Sequence, residues 1–218
     1  MTNTLTKKIL IVDDHPMMRR GLAETLESEP GFEVVYQLDR AEEVLKILEN
    51  DELDLLLVDV SLPGMNGIEL VKNVIFQKPG QKILVISRHD ESLYAERAIR
   101  AGAKGYIMKF ESAEEIMKAV RKVLNGGVYL SSELSEKLLI GMATGKKEIS
   151  KSPLDVLSDR ELEVFELTGK GKSTREIAER LHLSVKTVES YRARIKTKLN
   201  FENANELMLH AVKWVDGQ

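Results

Sequence analysis

Three carboxylates stand where an α/β chain places its chemistry. Asp13 and Asp14 follow the apolar run Ile-Leu-Ile-Val at 9–12, and Asp59 follows Leu-Leu-Leu-Val at 55–58. Each acid therefore sits where a buried strand meets solvent. Three carboxylates brought together repel and raise one another's pKa unless a cation joins them. An all-oxygen set suits Mg2+, which keeps several waters and shares a phosphate readily. Ser87 closes a further apolar run, 83–86, and Lys109 follows the run 105–108. A hydroxyl and an ammonium on the same rim complete a set able to run phosphoryl transfer. Metal and lysine neutralise developing charge, the hydroxyl holds a phosphoryl oxygen, and one carboxylate is the nucleophile. One acid at a strand end is ordinarily structural; the conjunction at four rim positions is what points to chemistry.

A second cluster is cationic. Between 170 and 199 lie Lys170, Lys172, Arg175, Arg180, Lys186, Arg192, Arg194, Lys196 and Lys198, against Glu176, Glu179 and Glu189. The chain as a whole carries a formal charge of −3, so this patch stands out locally. It is either a footprint for a phosphate backbone or a solvated helical face.

The elements that must position these residues change type along the chain. β-rich runs at 8–13, 32–37, 53–59, 82–87 and 105–108 alternate with stretches of helical spacing. Examples of the latter are 17–26, with Leu22 and Leu26 on one face, and 41–48, with Val44, Leu45 and Leu48. The last of them starts at Ser112, with Glu115 at capping-box spacing, carries Ile116, Val120, Val123 and Leu124, and ends at Gly126-Gly127. Five strands alternating with five helices predict a doubly wound five-stranded parallel sheet, with its site at the carboxyl ends of the strands. Residues 132–142 could form one or two amphipathic turns through Leu134, Leu138 and Leu139. The stretch 143–153, rich in Gly, Lys and Ser, reads as a connector. From Leu157 the pattern is purely helical, predicting helices at 159–168, 174–181, 184–199 and 203–215. Capping-box spacing recurs at Ser158/Glu161, Ser173/Glu176 and Asn203/Glu206. The predicted organisation is a domain over 1–128, a connecting segment over 129–154 and a small all-α four-helix domain over 155–218.

Within the helix at 184–199, Val188, Tyr191, Ile195 and Leu199 form one apolar stripe. The opposite face carries Lys186, Ser190, Ala193 and Thr197, flanked by Glu189 and Arg194. A small, polar face edged by cations fits a DNA major groove. Only His182-Leu183 separates this helix from the one before it, the spacing of a helix-turn-helix; a generic helical bundle with a basic surface is the alternative. On the groove reading, Lys186, Glu189, Ser190 and Ala193 form the reading face, and Thr187, Arg192, Arg194 and Lys198 hold phosphates. Glu189 then either accepts from cytosine N4 or orients Lys186 one turn earlier.

The residues quoted so far also carry a resemblance. Val12-Asp13-Asp14-His15, the segment from Val58-Asp59 through Pro63-Gly64 to Gly67, and Ser87, Tyr106 and Lys109 resemble the acidic pair, phospho-acceptor loop, switch hydroxyl, switch aromatic and lysine of a response-regulator receiver, flavodoxin-like in fold. The resemblance covers 8–124. It implies that Asp59 accepts a phosphoryl group from a sensor histidine kinase. It also implies that Asp14, Asp59 and the Ser61 carbonyl hold Mg2+, with Asp13 helping through water, and that Ser87 and Tyr106 reorient on phosphorylation. Leu157-Ser158-Asp159-Arg160-Glu161, Ser173-Thr174-Arg175-Glu176-Ile177-Ala178 and Ser184-Val185-Lys186-Thr187-Val188-Glu189 resemble the LuxR-type helix-turn-helix. Together the two are similar to the NarL/FixJ class. Five positions depart from the commonest pattern: Leu62 for Met, Arg88 for a small residue, Phe110 for Pro, Glu189 for Lys and Tyr191 for His. Arg88 would either crowd the phosphoryl site or pair with it.

The expected protein is a phosphorylation-controlled, DNA-binding transcriptional regulator rather than an enzyme. It would be a homodimer on double-stranded promoter DNA when phosphorylated, with RNA polymerase a further partner. A Mg2+-dependent aspartyl-phosphate phosphatase would need a second acid as proton donor and a substrate cap, and neither is recognisable. A constitutive DNA binder that is never phosphorylated is a second alternative, which incubation with acetyl phosphate and Mg2+ followed by intact mass would separate. The chain has no cysteine, which excludes disulfides and thiolate metal sites. Its apolar runs are too short for a membrane span or a signal-peptide core, so a cytoplasmic location without membrane contact is expected. The four histidines, His15, His89, His182 and His210, show no metal-ligand spacing; His15 is expected to hydrogen-bond locally. Met208 and Trp214 are expected to pack.

Overall fold

The computed structural model describes residues 6–136 and 153–217. The chain divides into two compact units, Met1–Thr144 and Gly145–Gln218.

In the first unit, β1 (Lys7–Val12), β2 (Phe32–Leu38), β3 (Leu55–Asp59), β4 (Ile83–Ser87) and β5 (Gly105–Met108) form one parallel sheet in the order β2-β1-β3-β4-β5. They alternate with α1 (Pro16–Glu27), α2 (Ala41–Leu48), α3 (Gly67–Gln77), α4 (Glu91–Ala101) and α5 (Ala113–Leu124). Strand periodicity sends Ile9, Ile11, Leu55, Leu57, Leu84 and Ile86 to one face, where Leu22 and Leu26 of α1 and Val120 and Val123 of α5 cover them. Leu10, Leu56, Val58 and Val85 are equally buried on the other side. With both faces covered, the central strands read as continuous apolar runs. Strand order reverses between β1 and β3, and register pairs Val12 with Val58 and Asp59 with Ile86. Asp13 and Asp59 thus meet at the switch point of the sheet, where a crevice opens.

Two glycines decide how closely neighbouring backbone approaches. A Cβ on Gly67 would lie 1.9 Å from the Asp59 carbonyl oxygen, so only glycine lets α3 start against the end of β3. A Cβ on Gly105 would lie 2.9 Å from the Tyr129 carbonyl oxygen. There the chain leaving α5 returns beside β5. Tyr106 N–H donates to the Tyr129 carbonyl (3.0 Å), and Tyr129 N–H donates to that of Lys104 (2.9 Å). Ser131 N–H then donates to Glu91 at the start of α4 (2.9 Å), and Leu134 is buried. The connecting segment expected over 129–154 is therefore not uniform, because 129–134 packs on the first unit. Of the turns expected over 132–142, residues 132–136 are helical; the remainder and the connector expected over 143–153, up to 152, lie outside the described residues.

The second unit contains a 3-10 turn (Pro153–Val156) and four helices: α6 (Asp159–Gly169), α7 (Thr174–Arg180), α8 (Val185–Leu199) and α9 (Ala204–Asp216). Reciprocal capping boxes start α6 at Ser158/Glu161 and α7 at Ser173/Glu176. The other two expected boxes are half made. Asn203 accepts from Glu206 N–H, but the Glu206 carboxylate accepts from Glu202 N–H instead. Ser112 accepts from Glu115 N–H, while the Glu115 carboxylate takes the Tyr129 hydroxyl and the Lys118 ammonium. His182 adopts a left-handed conformation (φ 53°) and Leu183 N–H donates to the Ala178 carbonyl (2.8 Å), which closes the turn between α7 and α8. Phe165 packs against Trp214 with ring centroids 5.6 Å apart. Met208, expected to pack as well, is exposed.

Candidate functional site

The acidic residues of the first unit converge. Asp13 is closed to solvent at the end of β1; its Oδ1 accepts the His15 N–H (2.8 Å) and its Oδ2 meets Lys109 Nζ at 2.7 Å. The same ammonium donates to Asp59 Oδ2 at 2.6 Å. Lys109 is placed by its own N–H, which donates to the Ser87 carbonyl (2.7 Å) and continues the β4–β5 ladder by one residue. Burial pushes the Asp59 carboxyl up. Lys109 pulls it down and Asp13 and Asp14 push it up again, leaving it at about 7. One ammonium does not neutralise three carboxylates. Asp13 Oδ2 and Asp14 Oδ1 are both buried, the former against Lys109 Nζ and the latter against His15 Nδ1. Carboxylate oxygens in a net-negative crevice fit a hard divalent cation.

Ser87 is fully buried, its Oγ accepting the His89 N–H at 3.1 Å, which leaves the hydroxyl proton for another acceptor. Tyr106 is also buried, and its hydroxyl donates to the His89 carbonyl (2.7 Å). His89 Nε2 lies 2.7 Å from Ser61 Oγ, and its ring lies 4.5 Å from that of Tyr94. One residue thus ties the loop after β3, the end of β4, the Tyr106 hydroxyl and α4. Sequence reasoning passed over His89. The signal was its place two residues after Ser87, at the carboxyl end of a central strand. It also set His15 aside, whose Nδ1 belongs to a group with Asp13, Asp14 and Asp59 whose ligand atoms lie within 4.8 Å of one another. Arg88 is exposed, as is Phe110, and the Lys109–Phe110 bond is trans.

In the second unit, α8 buries Val188 and Ile195 and half-buries Tyr191 and Leu199, as the apolar stripe requires. Lys186, Glu189, Ser190, Ala193, Arg194 and Thr197 are exposed on the other side. Thr187 is half-buried at the helix start, its hydroxyl 2.7 Å from that of Ser184. Two residues expected to hold phosphates are engaged within the unit. Arg192 Nη1 donates to Thr174 Oγ1 (2.7 Å), tying α8 to α7. Lys198 Nζ donates to Glu161 Oε2 (2.6 Å) and to the Val156 carbonyl (3.1 Å). A phosphate would have to draw Lys198 away from a buried carboxylate. Spacing along one helix cannot reveal that competition, because the partner comes from α6.

Comparison with known proteins adds independent findings. Residues 9–121 match the response regulator receiver domain, and 155–211 match the bacterial regulatory proteins of the luxR family. The chain is 33% identical to the response regulator UvrY of Escherichia coli K12, over 94% of this chain and 93% of that protein. It is 34% identical to the response regulator GacA of Pseudomonas aeruginosa, over 94% and 95%. Among solved structures it is similar to RcsB from Salmonella enterica serovar Typhimurium, bound to promoter rprA in the presence of phosphomimetic BeF3−. That likeness has a TM-score of 0.62 at 25% identity and covers 95% of this chain and 98% of that one.

Proposed function

The chain belongs to the NarL/FixJ class of response regulators, DNA-binding transcriptional regulators that join a receiver to a LuxR-type helix-turn-helix domain, and from that premise we propose that Asp59 is its phospho-acceptor. On this reading the receiver covers 1–128, with 129–154 connecting it to the DNA-binding domain at 155–218. The observation that carries the assignment is the buried Asp59 carboxylate, held by Lys109 at the sheet's switch point beside a Ser87 hydroxyl with its proton to spare.

The phosphodonor is the phosphohistidine of a sensor kinase. An Asp59 carboxylate oxygen forms the new P–O bond as the donor's P–N bond breaks. The electron pair stays on the departing imidazole nitrogen, which regains a proton from water. Lys109, already between Asp13 and Asp59, moves with the new charge. Ser87 turns its hydroxyl to a phosphoryl oxygen, and Tyr106 and the His89 loop follow because they share hydrogen bonds with it. Asp14, Asp59 and the Ser61 carbonyl would hold Mg2+, with Asp13 helping through water, and the ion would neutralise charge on the phosphoryl oxygens. The purpose is a switch rather than turnover, so no enzymatic role is assigned beyond self-phosphorylation and slow hydrolysis.

The output is binding of double-stranded promoter DNA by a homodimer that phosphorylation favours, with RNA polymerase a further partner and the cytoplasm the compartment. No described helix is long and apolar enough to cross a membrane. Lys186, Glu189, Ser190 and Ala193 read bases. Thr187 and Arg194 contact phosphates, joined by Arg192 and Lys198 only to the extent that these release Thr174 and Glu161. Incubation with acetyl phosphate and Mg2+ tests the whole reading. One phosphoryl group per chain, absent in Asp59→Asn, together with a rise in dimer fraction and promoter affinity, is the expected result. Labelling that survives Asp59→Asn in folded protein overturns the assignment.

A further inference from the structure

His15 occupies the N-cap position of α1, yet its side chain makes no capping hydrogen bond. Pro16 at the first helical position has no N–H to offer, and the backbone around His15 is held from the other side, its own N–H donating to Asp13 Oδ1. The imidazole is turned into the acidic crevice. Nδ1 is shielded from solvent and makes no hydrogen bond; it lies against Asp14 Oδ1 and 3.5 Å from Asp13 Oδ1. The outer half of the ring remains in water, the side chain being 43% exposed. Nδ1 and one oxygen each of Asp13, Asp14 and Asp59 lie within 4.8 Å of one another. Around one octahedral ion with bonds of about 2.1 Å, ligand atoms lie about 3 Å apart when adjacent and about 4.2 Å apart when opposite. The widest spacing, up to 4.8 Å, must close slightly to meet one ion, and three carboxylates with one ammonium leave two negative charges to match a divalent cation.

We propose that His15 is a nitrogen ligand of this pocket and makes it select transition ions such as Ni2+ and Mn2+ over Mg2+. The inference rests on the reading of the crevice as a divalent-cation site. An oxygen-only set discriminates weakly, and Mg2+ takes imidazole poorly. Imidazole nitrogen binds Mn2+, Co2+ and Ni2+ in rising order of affinity up to copper, with Zn2+ below copper. His15 sits at the mouth with the outer half of its ring in water, so an ion entering from solvent passes the imidazole and Asp14 before it reaches Asp13 and Asp59. The protein would then fill with the softer ion first, at equal free concentrations, and Mg2+ would displace it only in excess.

Titration calorimetry on the tag-free full chain with Ni2+ alone, Mg2+ alone and each in competition decides the matter. The wild type is expected to bind one Ni2+ that excess Mg2+ displaces. His15→Ala should weaken Ni2+ at that site at least tenfold while changing Mg2+ affinity less than twofold. His15→Asn keeps a good helix N-cap and a donor toward Asp14 but offers no imidazole nitrogen, and it should behave like His15→Ala. Equal weakening of both ions, or recovery of Ni2+ affinity in His15→Asn, means His15 only orients Asp14 and overturns the proposal. An unchanged Ni2+ affinity in both variants also overturns it. If the wild type binds neither ion at this site, the cation-site reading falls with it. Mg2+ binding with no His15 effect removes the inference alone.

Discussion

Asp59 in the receiver and Glu161 in the DNA-binding domain are both buried carboxylates with a lysine on one oxygen, yet their proton affinities move in opposite directions. Burial raises both. At Glu161, Lys198 and the two donors of Ser158 overcome it and hold the carboxyl below its ordinary range. At Asp59, a single lysine must also serve Asp13, and two further carboxylates push back, so the group rests at about 7. The DNA-binding domain supplies its buried Glu161 with enough donors to keep it ionised. The receiver leaves its acidic crevice short of positive charge, which a divalent cation would supply.

The largest test of this contrast is Asp59→Asn. Beyond abolishing labelling, it should stabilise the metal-free protein. A carboxyl with a raised folded pKa gives stability that is complete below its unfolded value and is lost as pH rises through about 7. The variant's advantage in Tm should therefore be absent near pH 4 and full above pH 7. At about 1.4 kcal/mol for each pH unit separating the folded and unfolded values, a few kcal/mol are at stake. Thermal melts in chelator at pH 5 and pH 8 check this, and an equal advantage at both would break the comparison. Saturating Mg2+ should shrink the difference.

Next in size, Glu189→Ala should change sequence preference at one base pair by roughly 1–3 kcal/mol without altering the melt. Binding-site selection reads it; an unchanged consensus with uniformly tighter binding would mean that Glu189 reads nothing. Glu161→Ala should do the reverse. Loss of the capping carboxylate and of the Lys198 partner costs about 1–2 kcal/mol, seen as a lower midpoint of the second transition in denaturant, with Asp59 labelling intact. The loss should be full above about 4.5 and fade below it, since a depressed carboxyl contributes fully above its unfolded value and loses that contribution as pH falls through the lower folded one. Smallest is Arg194→Ala. It should weaken all sequences about equally and lower the salt slope by about one unit.

The parts legible in the sequence were those set by local pattern. Apolar runs marked the central strands, and 41–48 and 105–108 have the bounds the spacing predicted. The acids at strand ends were legible because a parallel sheet converges its carboxyl ends. What escaped depends on partners distant in sequence. Nothing near Lys198 says that Glu161 will hold it, and nothing near Glu115 says that the Tyr129 hydroxyl will replace the return half of a capping box. His89 escaped for another reason. It was judged by spacing to other histidines, whereas its partners Ser61, Tyr94 and Tyr106 lie on other elements; His15, expected to hydrogen-bond locally, does so through its N–H to Asp13.

The return of the chain beside β5 has a consequence for anyone who recombines these domains. Tyr129 covers part of an edge strand whose free N–H and C=O groups would otherwise invite pairing with another molecule. A hybrid regulator spliced at Gly127 would strip Tyr106 N–H of its acceptor and remove the buried Leu134. Such a protein should be the one that precipitates. A splice placed after Glu136 keeps the edge sealed, so the natural unit of exchange is longer than the five-stranded sheet and its five helices.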